Sequence, residues 1–138
     1  MLNIKTHVTS LPLSRQLKEA GVKQESLLYH VKHRKWEQTD NGMKEVDPEY
    51  KIESWGELTN SQFYSAFLAS EVLDLLPKHV QGHVIQICPG FKEGGWFVGH
   101  GDHMNLNGWH VEDGKNLADA AAKQLLHLIQ SGVVKTNV

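Results

Sequence analysis

The chain has 138 residues, 40% of them hydrophobic and 22% charged, with a net charge of −2 and a single cysteine. That composition excludes a disordered chain, and a lone thiol excludes a disulfide-stapled secreted scaffold. No run approaches the roughly 18 apolar residues of a membrane-spanning helix, and the N-terminus lacks the apolar core of a signal peptide, so one cytoplasmic domain is the expectation.

The small net charge conceals an uneven distribution. Residues 1–35 carry seven Lys/Arg against two Glu, residues 36–74 carry nine acids against two lysines, and the remainder balances five against five. The basic run Lys32, His33, Arg34, Lys35 followed by Trp36 has the make-up of a phosphate-binding patch. A pI near 6.5 argues against a nucleic-acid partner and for a solvated strand face lying near the acidic middle of the chain.

Taken in chain order, Thr9 and Ser10 offer N-cap oxygens. Leu13, Leu17 and Ala20 line one helical face, Pro12 fits the first turn and Gly21 supplies a stop. Ser26 to Glu37 alternates as a strand with one buried face, and Asp40-Asn41-Gly42 turns it into a hairpin. The returning strand, Met43 to Val46, is expected to be short because Asp47-Pro48-Glu49 breaks it. Glu53 to Ser65 has no clean period and reads as irregular. Ser70 to Leu76 reads as a helix ended by Pro77, with Val72, Leu73, Leu75 and Leu76 as its apolar stripe and Phe63, Phe67 and Leu68 beneath its start. His83 to Cys88 is a β-branched strand, Trp96 to Val98 its hairpin partner, and Trp109 to Glu112 a third strand of a meander ended by Asp113-Gly114.

The last element has the strongest signal. Asn116 is a good N-cap, and Asp119 sits at the positive end of the helix dipole. Leu117, Ala121, Leu125, Leu128 and Ile129 form a stripe, and Gly132 stops the helix. Ala120, Ala121 and Ala122 permit close approach to a sheet. The order helix, hairpin, helix, three-stranded meander, helix predicts an α+β fold: an antiparallel sheet covered by helices in two layers over residues 1–138.

Four features carry possible chemistry. His100, Asp102, His103 and His110 have ligand types suited to zinc, but their spacing matches no zinc motif, and nine histidines make a cluster by chance unsurprising. Cys88 as a nucleophile would need His83 or His100 as a base, whereas its strand context predicts burial. Pro89 to Gly95 resembles a phosphate loop but lacks the GK[ST] ending and a following helix, so a hairpin turn accounts for it better. Trp96 and Trp109, on adjacent strands, either fill the core or line a groove.

Two strings, Phe67-Leu68-Ala69-Ser70-Glu71-Val72-Leu73-Asp74-Leu75-Leu76-Pro77 and Asn116-Leu117-Ala118-Asp119-Ala120-Ala121-Ala122-Lys123, together with Gly21-Val22-Lys23-Gln24-Glu25-Ser26-Leu27-Leu28-Tyr29, resemble uncharacterised small proteins of bacteriophages and prophages. The resemblance rests on caps, apolar stripes and a helix-ending proline, and brings no catalytic motif with it. It implies an accessory or host-interaction role. The expectation is therefore a non-enzymatic protein that binds a protein partner, without cofactor, membrane or nucleic acid. Homodimerisation is possible through an exposed edge or apolar patch. The alternative is a metal-dependent enzyme or metal-binding module using the His100–His110 loop.

Overall fold

A computed structural model of the chain describes residues 3–54, 63–80, 82–90, 95–101 and 110–135, His110 by its backbone alone. Helix α1 covers Leu11–Glu19. Strands β1 (Leu28–Thr39) and β2 (Gly42–Ser54) form a long hairpin, followed by β3 (Phe63–Ala66) and α2 (Ala69–Leu75). Strands β4 (His79–Val80), β5 (His83–Pro89), β6 (Trp96–His100) and β7 (His110–Gly114) lead into α3 (Leu117–Gln130). The fold is α+β, with two antiparallel sheets of order β2-β1-β3 and β4-β5-β6-β7.

The helix ends follow local chemistry closely. The Asn116 side chain accepts the Asp119 N–H at 2.8 Å. At the far end Gly132, at φ 81°, lets Val133 N–H reach the Leu128 carbonyl and Gly132 N–H reach that of Ile129, which satisfies the last carbonyls of α3. Gly21, at φ 92°, does the same for α1, with Val22 bonded to Leu17 and Gly21 to Lys18. The start of α1 departs from expectation, because Ser10 occupies the N-cap position without a side-chain cap. Thr9 has been drawn elsewhere. Its hydroxyl accepts the Phe67 N–H at 3.0 Å and pairs with Ser14 at 2.8 Å, while its carbonyl accepts from His30 Nε2 at 2.7 Å.

Segment 8–14 is thus the junction between the first sheet and α3. Val8 bridges Leu68 beside β3, and the Asp119 carboxylate accepts the Ser10 N–H at 2.7 Å, tying α3 to the entry of α1. Around that junction Leu13, Leu17, Phe67, Val72, Val80, Val98, Ala121, Leu125 and Leu128 form one buried core shared by all three helices. Helix α3 packs on β6 and β7, and is buried more widely than a single stripe, with Ala118, Ala120, Ala121 and Ala122 all enclosed. The close approach is visible at Gly114, where an added Cβ would fall on the Ala120 backbone nitrogen and 2.8 Å from its Cα.

Three sequence expectations are corrected. The strand expected to stop before Asp47 runs on to Ser54. It passes Pro48 because the register slips there: Val46 faces Lys35 and Glu49 faces His33, so Asp47 and Pro48 together oppose Arg34 in a β-bulge. Proline, having no N–H to donate, is accommodated at a bulge in an edge strand. Residues 63–65, read as irregular, belong to β3, which pairs with Leu28–Val31. Leu75, placed in the buried stripe of α2, is 46% exposed, and the buried members are Val72 and Leu76.

Candidate functional site

The candidate metal set comes apart at its first member. His100 is fully buried on the face of β6 that meets α3. Its Nε2 donates to the Pro77 carbonyl at 2.7 Å, and its Nδ1 then accepts from the Gln124 amide at 3.0 Å. Both ring nitrogens are committed to packing, and a metal ion would have to break both bonds. Asp102 and His103 lie outside the described residues. His110 stands opposite His100 in the β6–β7 ladder, and its side chain is likewise outside them.

Cys88 is half-buried and its thiol points to the neighbouring Pro89 carbonyl at 3.3 Å, so the expected full burial is not reached. Ile85 pairs with His100 and Cys88 with Phe97. Side chains alternate along a strand, so Cys88 and His100 occupy opposite faces of the sheet and cannot form a nucleophile–base pair. The Pro89–Gly95 segment closes the β5–β6 hairpin through Gly90 N–H to the Gly95 carbonyl, and residues 91–94 lie outside the described set. Trp96 is partly buried against the core, whereas Trp55 and Trp109 fall outside the described residues.

The distal β1–β2 ribbon is different, because most of it touches no other element. Strand β3 covers β1 only at Leu28–Val31. Beyond Val31, β1 runs eight more residues to Thr39, an arm of about 26 Å at 3.3 Å per residue. Its basic run is neutralised across the hairpin: Arg34 lies 3.5 Å from Glu45, Lys35 3.3 Å from Glu49, and the His33 ring 2.6 Å from Glu53. Lys35 is the largest cause of a Glu49 carboxyl held below its ordinary value. From Lys32 to Glu53 five cations (Lys32, Arg34, Lys35, Lys44, Lys51) meet six acids (Glu37, Asp40, Glu45, Asp47, Glu49, Glu53). Two large apolar side chains of the ribbon are left exposed. Trp36 is 52% and Met43 63% exposed. Trp36 pairs with Glu45 and Gln38 with Met43, so the indole and the thioether share one face of the ribbon, with Arg34 and Glu45 beside the indole.

An apolar pocket of about 370 Å³ opens between the exit of α1 and the ends of α2 and α3. Val22, Leu75, Leu125, Ile129 and Val134 line it, with Lys23 at its edge. The sequence singled out Trp36 by type but not Met43 or this pocket, whose lining is assembled from four separate segments.

No family model, curated protein or solved structure matches this chain. Among the described residues no helix is long and apolar enough to cross a membrane, and no group of three or more His, Cys, Asp or Glu is placed to hold a metal ion.

Proposed function

We propose that this chain is a non-enzymatic binding protein that engages a protein partner through the β1–β2 arm. The observation that carries the reading is the pairing of half-exposed Trp36 with Met43 on one face of an otherwise uncovered ribbon. Tryptophan is the residue type most often found at the energetic centre of protein interfaces, and methionine adapts to irregular apolar surfaces. A two-stranded ribbon is marginal in water by itself, so one that extends well past its supporting third strand gains by being covered. The balanced charge supports a protein partner over nucleic acid or an anionic membrane, both of which demand a basic excess. On its likeness to phage proteins, the chain acts as an accessory factor of a phage or prophage.

The test compares immobilised wild-type and Trp36→Ala chains for retention of proteins from lysate and of a labelled second copy of the chain. A protein held by the wild type and at least tenfold depleted on Trp36→Ala, with the melting temperature unchanged, is the expected result. Equal retention by both, or a strong hydrolytic turnover in a metal-free preparation, would overturn the reading.

A further inference from the structure

We infer that the arm's partner is a second copy of this chain, its Trp36 seated in the apolar pocket between α1, α2 and α3. This inference rests on the proposed binding role of the arm and names its occupant. Each molecule carries both halves of such a contact: a projecting indole and an unfilled apolar recess. A cavity of about 150 Å³ suffices for benzene, so the roughly 370 Å³ available here admits the larger indole ring. The edges also match in charge. Lys23 and Glu25 form an exposed ion pair at 3.0 Å beside the pocket, and Arg34 and Glu45 flank Trp36. Exchange of partners places Lys23 against Glu45 and Glu25 against Arg34.

The contact cannot form within one molecule. The chain between the pocket and the arm is fixed to the core: Gln24 Oε1 accepts the Ser65 N–H at 2.7 Å, and Glu71 accepts the Leu27 N–H at 3.1 Å. From Leu28 the ribbon runs past β3, carrying Trp36 eight residues, about 26 Å, from its own base. Bending it back would strip the β1–β3 ladder. In trans, two copies related by a two-fold axis exchange arms reciprocally, and this arrangement closes as a dimer without further growth.

Three chains test the inference by light scattering and sedimentation: wild type, Trp36→Ala and Leu75→Glu. Leu75 lies at the pocket and is already half-exposed, so its replacement by Glu spares the core. The wild type is expected at twice its 15.6 kDa mass. Each variant alone should dimerise at least tenfold more weakly. An equimolar mixture of the two variants should dimerise more tightly than either alone and less tightly than the wild type, because it restores one of the two reciprocal contacts, the intact arm of Leu75→Glu in the intact pocket of Trp36→Ala. A wild type that stays monomeric up to about 1 mM, the limit of weak specific association, would overturn self-docking. It would leave the arm's role standing if Trp36→Ala still lost a different captured protein. A dimer unaffected by either variant, or variants that fail to complement each other when mixed, would also overturn it.

Discussion

At the scale of single residues, two positions carry consequences out of proportion to their size. Gly114 needs its missing side chain not for backbone freedom but for clearance, since a Cβ there meets the backbone of Ala120. Gly114→Ala must push α3 off β7, and overpacking of this kind costs about 1–3 kcal/mol. Chemical denaturation should report that loss, whereas the same substitution at Gly42, where a Cβ meets nothing within 4 Å, should cost only its turn strain at φ 111°. His30 carries a different liability. Burial is the main cause of its lowered proton affinity, partly offset by its bond to the Thr9 carbonyl and by Asp119, and reinforced by Arg15 and Lys5. The unfolded chain therefore binds a proton at His30 more readily than the folded one. The stability that neutral His30 contributes is complete above its unfolded value of 6.5 and declines as pH falls below it toward the lowered folded value. Melting temperatures from pH 7.5 to pH 5 should fall more steeply for the wild type than for His30→Gln, whose amide can still donate to Thr9. Identical slopes would refute the assignment.

At the scale of elements, the arm and the core respond oppositely to surgery. Replacing residues 34–48 with a two-residue Asn-Gly turn, which closes on the His33–Glu49 pair, removes strand pairs and surface ion pairs, each of the latter worth about 0–1 kcal/mol, but no core contact. The shortened chain should therefore keep its far-ultraviolet signature and melt within a few degrees of the parent. Collapse of the fold on truncation would mean that the arm supports the core. What the sequence disclosed about these elements follows how local their causes are. The caps of α3 and the stop of α1 were legible because cap, stop and helix lie within a few residues. The start of α1 falls where the sequence places it, at Ser10, but without a side-chain cap, and the Thr9 hydroxyl is held by Phe67, 58 residues away. Pro48 concealed the length of β2 because a bulge is a property of two strands and not of one. Strand β3 had no period to find, since four residues seldom show one. Alternation in β1 correctly signalled a strand, yet covering elements reach only its first half, which no single-segment pattern reports. Of the candidate chemistry, His100 was visible as a residue type, but its ties to Pro77 and Gln124 belong to the tertiary structure.

For the molecule as a whole, the shared core predicts shared unfolding. Leu125 is 1% exposed at the centre of α3, where α1, α2 and the second sheet converge, and the first sheet joins the same core through Phe67 and the Thr9 junction. Leu125→Asp buries an unpaired charge there and should cost more than about 4 kcal/mol, a large share of the 5–15 kcal/mol available to a typical domain. Circular dichroism should show loss of both sheets and the helices together, in one transition. A folded Leu125→Asp variant with an unchanged melting temperature would show that α3 is an appendage rather than the shared wall of the core.

The kink at Pro48 has an outcome in the test tube. Strand β2 is an outer strand thirteen residues long, the kind of ribbon that recruits further strands and seeds cross-β fibrils. Here the absent amide of Pro48, the local twist of the bulge and the acids Glu45, Asp47 and Glu49 interrupt that template midway. The chain should thus hold a sticky indole near the end of a long ribbon and still resist fibril growth at high concentration, which a thioflavin-T assay would check.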